Sequence, residues 1–339
     1  MPVSMMKAVV QHGFGGPDVL CYDDVPVPRL GRGEVLVRVR AVGINPPDWY
    51  LREGYKTLPP EWRPAATFPL ILGTDISGVV TAVADDVEGF ALGDEVYAMV
   101  RFPEGMAGGS RAYAEYVTVP ARELALKPAG VDHAHAAAAP MSLMTAWQFL
   151  VDLGHDEPNA VQPGPHRPVD LKGKTVAVNG AAGGVGHFLV QVAKLKGARV
   201  IAIASGRHVT MLKDLGADEV LDYTNATPED ELRDVDLVVD AVGGPTSGRF
   251  LKTIKRGGAL FPIFPLGFAG ATEAEQRGVT VSATQVRSNG AQLRELASLL
   301  DSGAIRVVID GSWPLADAAK AHERAAQGHI QGKLVLIVE

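Results

Sequence analysis

Residues 175–186, Thr-Val-Ala-Val-Asn-Gly-Ala-Ala-Gly-Gly-Val-Gly, constrain the fold more than any other stretch. A short apolar run enters a glycine-rich turn, and a helix-forming segment leaves it, running to Gly197. The spacing Ala181-x-Gly183-x-x-Gly186 suits a turn that is tight, that lets its backbone approach a ligand, and that packs a helix close to a strand. Gly183, Gly184, Val185 and Gly186 then open the helix, whose free N–H groups and dipole favour a pyrophosphate. A strand before, a helix after and a second strand at 199–204 make this pattern specific for a dinucleotide. A glycine-rich turn that binds nothing is the weaker alternative.

The end of the second strand bears on which dinucleotide. An acidic residue there would hold ribose hydroxyls. The sequence instead reads Ile-Ala-Ser-Gly-Arg-His at 203–208, with no Asp or Glu. Ser205, a flexible Gly206 and the cation of Arg207 suit a 2′-phosphate, so NADP(H) is expected over NAD(H). The alternative for Arg207 is an ordinary solvated side chain. His208 reads as a bystander.

Around this unit the chain changes character twice. Up to about residue 127 it reads as short strands punctuated by Gly and Pro. The segment 34–42 alternates with period two: Val35, Val37 and Val39 fall on one face, Leu36, Arg38 and Arg40 on the other. Such spacing suggests a small barrel or partly open β-domain. A helical stretch at 133–153, interrupted near Pro140, leads to a loop at 154–174. Strands at 175–180, 199–204, 219–223, 236–241, 258–263 and 280–284 then alternate with helices, as a parallel, doubly wound sheet requires. A helix at 292–300, a strand at 305–309, a helix at 316–326 and an apolar strand at 333–338 end the chain. That last strand needs a sheet to join.

Composition narrows the function. The chain has 339 residues, which favours two domains. A hydrophobic share of 47% is that of a globular chain. Its one cysteine, Cys21, excludes an internal disulfide and a cysteine-rich zinc site. A net charge of −7 without any basic run argues against nucleic acid as the partner. No apolar run is long enough for a membrane helix, and the start lacks a signal-peptide layout, so a cytoplasmic enzyme is expected.

Together these segments resemble the medium-chain dehydrogenase/reductase superfamily, and within it the zinc-free quinone oxidoreductase branch that includes zeta-crystallin. The resemblance rests on Gly-Glu-Val-Leu-Val-Arg-Val (33–39), Gly-Ile-Asn-Pro-Pro-Asp (43–48), Leu-Gly-Thr-Asp-Ile-Ser-Gly (72–78), Gly-Asp-Glu-Val (93–96), Ala-Tyr-Ala-Glu-Tyr (112–116), Thr-Ala-Trp (145–147), the glycine turn, Leu-Gly-Ala-Asp (215–218) and Gly-Lys-Leu-Val-Leu (332–336). It covers almost the whole chain. It implies an α/β fold: a GroES-like β-domain (1–127 and 302–339) plus a Rossmann doubly wound parallel-sheet domain (128–301).

Zinc-dependent relatives place Cys where Asn45 stands and His-Glu where Thr74 and Asp75 stand. Asn45 and Thr74 are poor zinc ligands, so no metal is expected. The resemblance implies a nicotinamide lying between the domains, with substrate contacted by Asn45, Tyr50 and Tyr55. Asn45 could donate to a carbonyl oxygen that gains charge as hydride arrives, and Tyr50 or Tyr55 could donate a hydrogen bond or a proton. A turn residue before proline is the plainer reading of Asn45, and packing that of the tyrosines. Asp48 would repel the growing charge if it pointed inward, so it reads as a helix cap. Thr145, Val242, Gly243, Phe264 and Lys333 match positions near the cofactor.

The implied activity is hydride transfer from NADPH to a quinone or α,β-unsaturated carbonyl, a small apolar substrate. The alternatives are an enoyl reductase of secondary metabolism and an NADPH-binding protein with little turnover. A homodimer is expected from the resemblance alone. Arg207→Asp should lower the kcat/KM preference for NADPH over NADH by about 10–100-fold, the worth of a charge-assisted hydrogen bond. Steady-state kinetics with both cofactors check this, and an unchanged preference contradicts the role given to Arg207.

Overall fold

The structure is a computed structural model that describes residues 4–155 and 165–339. The first part of the chain runs β1 (Met5–Gln11), β2 (Cys21–Pro26), β3 (Glu34–Ile44), α1 (Pro46–Arg52), β4 (Leu70–Ile71), β5 (Asp75–Val83), β6 (Glu95–Met99), β7 (Tyr116–Pro120), β8 (Leu124–Leu126) and α2 (His133–Ala138). The middle runs α3 (Pro140–Leu150), β9 (Thr175–Asn179), α4 (Gly186–Leu195), β10 (Arg199–Ala204), α5 (Val209–Asp214), β11 (Glu219–Asp222), α6 (Pro228–Glu231), β12 (Val235–Asp240), β13 (Ile254–Pro262), α7 (Ala271–Arg277) and β14 (Thr280–Val281). The end runs α8 (Gly290–Asp301), β15 (Ile309–Pro314), α9 (Ala318–Ala326) and β16 (Lys333–Ile337).

The chain divides into two compact units. Unit 1 comprises Met1–Met141, Arg287–Gly303 and Val307–Glu339; unit 2 comprises Ser142–Val286 and Ala304–Arg306. The sequence places the divide at 127/128 and 301/302, and the structure moves both points into unit 1's favour. α2 stays with unit 1 because Ala137 and Ala138 pack with Ala41 of β3 and Val335 of β16. α8 stays because Tyr97 donates to the Leu293 carbonyl (2.5 Å) and Asn289 caps the helix through the Gln292 N–H.

In unit 1, β3 is the longest strand and the organiser. Its alternation is as the sequence suggests: Val35, Val37 and Val39 are buried while Arg38 is exposed. From Ala41 onward both faces are buried, because α2 covers the second one. The sheet runs β15-β16-β3-β5-β6-β8, with β7 also on β3. β16 pairs antiparallel with β3, Leu334 opposite Ile44 and Ile337 opposite Ala41. The apolar final strand thus finds its sheet, and Lys333 lands beside the end of β3. A smaller sheet, β2-β1-β4, completes the unit.

The expected strand at 305–309 lies later, at Ile309–Pro314, parallel to β16. The reason is local. The Gln191 side chain of α4 donates to the Arg306 carbonyl (2.9 Å) and accepts the Arg306 N–H (2.7 Å). One amide satisfies both backbone groups, so Arg306 has no need of a strand partner there.

Unit 2 is a six-stranded sheet in the order β11-β10-β9-β12-β13-β14, every pair parallel. In chain order within the unit this is 3-2-1-4-5-6, the doubly wound arrangement whose order reverses between β9 and β12. β9, β10 and β12 are buried on both faces, as their apolar sequences require. The 154–174 loop belongs here; residues 156–164 lie outside the described residues.

Gly186 fixes how closely α4 approaches β9. A Cβ there would stand 2.0 Å from the Gly180 carbonyl oxygen and 2.8 Å from the Ala181 Cα. Backbone cannot yield as a side chain can. Gly186→Ala is therefore expected to cost about 3 kcal/mol, at the upper end for overpacking, in chemical denaturation. A loss below about 1 kcal/mol would show that the contact relaxes freely.

Candidate functional site

In unit 2 the turn is built by backbone. Gly180 has φ +72°, a left-handed value that glycine adopts without strain. The Ala181 N–H donates to Ile203 O (3.1 Å) and the Gly183 N–H to Gly180 O (3.0 Å). The helical ladder starts with His187 N–H on Gly183 O (3.1 Å). The N–H groups of Gly184, Val185 and Gly186 ahead of it are those that any helix start leaves over. A Cβ on Gly183 would meet only the Gly180 oxygen, at 3.4 Å, within 4 Å. This is open ground where a backbone can approach a phosphate.

The loop after β12 comes to the same turn. Asp240, buried at the strand end, accepts from the Asn179 amide (2.7 Å), the Val242 and Gly243 N–H groups (3.0 and 2.9 Å) and the Ser247 hydroxyl (2.7 Å). Val242 Cγ2 lies 3.0 Å from where a Gly180 Cβ would be. The Gly244 N–H donates to Phe264 O (2.7 Å), and Gly243 faces that residue too closely for any side chain. Gly180, Val242, Gly243 and Phe264 are thus gathered. Thr145 is buried on α3. The sequence passed over Asp240 because its role is to hold a loop, which no motif records.

Ser205 and Arg207 follow β10, and Arg207 Nε donates to His208 Nε2 (3.0 Å). Sequence reading found no acid here, yet Asp222 reaches the turn from the end of β11. Its Oδ2 lies 2.3 Å from where a Gly206 Cβ would be. Its lone pairs already take the Gly206 and Thr224 N–H groups, the Thr224 hydroxyl and the Asn225 amide, which hold its carboxyl below the usual range. Arg207 stands at the same turn, beside His208.

In unit 1 the end of β3 and the start of α1 carry a buried polar cluster. Asn45 precedes the helix. Its N–H donates to Asp48 Oδ2 (2.8 Å), the reach-back bond of a capping box. Its side-chain amide donates to Asp75 Oδ2 (2.9 Å) and Gly43 O (3.3 Å). Its Oδ1 accepts from the Lys333 ammonium, which also donates to Ile44 O (2.8 Å). Asp75 further accepts the Met141 N–H (3.0 and 3.2 Å to its two oxygens). Asn45, expected to face substrate, has its amide engaged within the protein. Lys333, expected near the cofactor, is buried beside Asn45.

A second chain of bonds reaches Asp48 from the other side. Arg52 Nη1 lies 2.8 Å from His322 Nδ1, His322 Nε2 lies 2.9 Å from the Tyr113 hydroxyl, and that hydroxyl lies 3.3 Å from Asp48 Oδ2. Arginine can only donate. His322 Nδ1 is therefore the acceptor, Nε2 carries the hydrogen and donates to Tyr113, and Tyr113 donates to Asp48. Burial and the Arg52 charge push His322 down to about 3, so it stays neutral.

Burial pushes the Asp48 carboxyl up to about 7, with the Asp75 charge adding to the rise. It pushes Asp75 up to about 6, opposed by Lys333 and the Asn45 and Met141 donors. Lys333 is pushed down by burial and held up by both carboxylates.

Asp48 and Tyr55 line a narrow crevice of about 10 Å³, room for about one water, together with Thr74, Phe102, Ser110 and Arg111. The hydroxyls of Thr74 and Ser110 are buried and have no hydrogen-bond partner. Tyr55 reaches Met106 O at 3.5 Å, and burial raises its hydroxyl. Tyr50 is half-buried, its ring 6.4 Å from that of Tyr55. Asp75, Arg52, Tyr113 and His322 were missed as site residues. Tyr113 and His322 are 209 positions apart, and only the fold joins them. Among the described residues no group of three or more His, Cys, Asp or Glu is placed to hold a metal ion, and none of their helices is long and apolar enough to cross a membrane.

Residues 31–129 match the family described as alcohol dehydrogenase GroES-like domain, and residues 215–336 that described as zinc-binding dehydrogenase. The chain is 33% identical to the mitochondrial NAD(P)H oxidoreductase RTN4IP1 of Mus musculus, over 99% of this chain and 90% of that one. It is 34% identical to the chloroplastic NADPH-dependent alkenal/one oxidoreductase of Arabidopsis thaliana, over 98% and 79%. The solved quinone oxidoreductase of Coxiella burnetii superposes with a TM-score of 0.84 at 29% identity, over 99% and 100%.

The buried carboxyls set a pH dependence. Asp48 is raised above its unfolded value near 4, so its contribution to stability is whole below about pH 4 and is lost as pH rises through about 7. Asp48→Asn removes that titration. In denaturation series from acid to neutral pH, the variant is expected to gain on the native chain by up to about 1.4 kcal/mol per pH unit. A difference that does not change with pH would contradict a raised Asp48.

Proposed function

The chain belongs to the medium-chain dehydrogenase/reductase superfamily, in its quinone oxidoreductase branch, and on that premise we propose that it is a zinc-independent, NADPH-dependent reductase of quinones or α,β-unsaturated carbonyls. The observation that carries the proposal is the open glycine turn on a 3-2-1-4-5-6 sheet, in a chain related over almost its whole length to reductases of this kind. NADPH, when bound, supplies the hydride.

The residues share out the remaining work. Gly184, Val185 and Gly186 hold the pyrophosphate by backbone N–H groups, while Ala181 and Gly183 shape the turn through their own N–H bonds to Ile203 and Gly180. Ser205 and Arg207 bind the 2′-phosphate. Val242, Gly243, Phe264 and Thr145 shape the path of the ribose and nicotinamide. In unit 1, Tyr50 and Tyr55 position a small apolar substrate by ring contact. Asn45 orients Asp75 and Lys333 through its engaged amide. Zinc independence rests on Asn45 and Thr74, neither a zinc ligand by chemistry, and Asn45 is spoken for by Lys333 and Asp75. A cytoplasmic homodimer completes the proposal; light scattering and cell fractionation test those two points.

Assays of NADPH oxidation against a benzoquinone and an enone panel test the reading. Turnover with at least one acceptor, unchanged by a strong chelator, is expected. Tight NADPH binding without turnover on any acceptor would reduce the protein to a cofactor-binding role, and loss of turnover on chelation would contradict zinc independence.

A further inference from the structure

His187 is a polar ring in an apolar place. It stands on the first turn of α4, fully buried, ahead of Phe188, Leu189 and Val190. A buried imidazole is costly unless its polar atoms are bonded. Its Nδ1 lies 3.0 Å from the Gly183 carbonyl oxygen. A carbonyl only accepts, so Nδ1 carries a hydrogen and donates it. The His187 backbone N–H donates to the same oxygen, at 3.1 Å. One residue thus engages both lone pairs of one carbonyl.

That carbonyl belongs to the Gly183–Gly184 peptide. Neither of its residues has a Cβ to resist rotation, so this linkage turns more easily than its neighbours. A planar trans peptide points its C=O and its N–H in opposite directions. With the Gly183 oxygen drawn into α4, the Gly184 N–H faces out of the helix start, where it is the first of the donors left over. The Gly183 N–H is itself bound to Gly180 O (3.0 Å), so Gly183 is held on both sides. His187 is supported from behind. Gln191, one turn later, donates to the His187 carbonyl (2.9 Å) and to the Arg306 carbonyl (2.9 Å), and accepts the Arg306 N–H (2.7 Å). Arg306, Gln191, His187 and Gly183 are a continuous run of hydrogen bonds within unit 2.

We propose that His187 is a positioning residue for the cofactor: its Nδ1–H holds the Gly183–Gly184 peptide in the orientation that presents the Gly184 N–H to a pyrophosphate. The proposal rests on the reductase reading above, in which that pyrophosphate belongs to NADPH. His187 acts through Gly184 rather than on the phosphate. Without its hydrogen bond the peptide is freer to turn. A turned peptide sets a carbonyl oxygen, an acceptor, against an anion.

Calorimetric binding of NADPH and of adenosine 2′-monophosphate tests this on the native chain, His187→Leu and His187→Asn. Adenosine 2′-monophosphate keeps the 2′-phosphate and lacks the pyrophosphate. Leucine fills the space without a donor; asparagine sets its amide Nδ2 where Nδ1 stood. His187→Leu should weaken NADPH by about 5-fold, the net worth of one hydrogen bond. It should leave adenosine 2′-monophosphate binding and the kcat at saturating NADPH unchanged. His187→Asn should bind NADPH close to the native chain. Native NADPH affinity in His187→Leu overturns the proposal. Equal losses for both ligands also overturn it, since they mark a loosened unit rather than a misdirected N–H. So does a His187→Asn as weak as His187→Leu. If His187→Leu does not fold, the imidazole nitrogen NMR signals of His187 in the native chain decide, assigned by their loss in His187→Asn. They should report a protonated Nδ1 and shift with NADPH but not with adenosine 2′-monophosphate; signals indifferent to NADPH overturn the proposal. A native chain that binds NADPH no better than adenosine 2′-monophosphate overturns the cofactor reading, and this proposal with it.

Discussion

The ammonium of Lys333, buried under the end of β3, is the charge around which the polar part of unit 1 is arranged. It is there because the last strand of the chain pairs antiparallel with β3, in the register that sets Leu334 opposite Ile44. A buried cation needs acceptors and counter-charge. Ile44 and Asn45 supply the acceptors, and Asp75 and Asp48 the charge. Asn45 also turns the chain into α1, which carries Asp48 and Arg52 to their places. One strand pairing between the two ends of unit 1 therefore fixes a cluster whose members come from β3, α1, β5 and β16.

The cluster holds two acids to one ammonium, and its asymmetry follows. Asp75 is enclosed by donors. Asp48 has its Oδ2 held by the Asn45 N–H and by Tyr113. The neutral His322, its tautomer set by Arg52, fixes the direction of that second bond.

Local features were legible in the sequence and non-local ones were not. The glycine turn could be read because its strand, turn and helix are contiguous, and steric demands on Gly186 are local. The period-two pattern of β3 could be read up to Arg40, but the burial of both faces beyond Ala41 depends on α2, which nothing in 34–44 announces. The unit boundaries shifted for the same reason: α2 and α8 are ordinary helices whose partners lie far along the chain. Spacing alone suggested that Asp48 caps α1. Its place in the buried cluster needed Tyr113, 65 positions away. Asp222 escaped because the acid beside the Ser205–Arg207 turn comes from the neighbouring strand rather than from the end of β10.

The account stands most directly on where the proton of this cluster resides. Infrared difference spectra between about pH 5 and about pH 9 resolve a buried carboxylic acid from its carboxylate, since burial sets its titration well above that of exposed carboxyls. The expected result is a carboxylic acid band that disappears with a midpoint near 7 in the native chain and is missing from Asp48→Asn. A band with its midpoint still near 7 in Asp48→Asn, distinct from the lower titration of Asp75, or a native chain with no carboxyl titrating above the ordinary range, would contradict it.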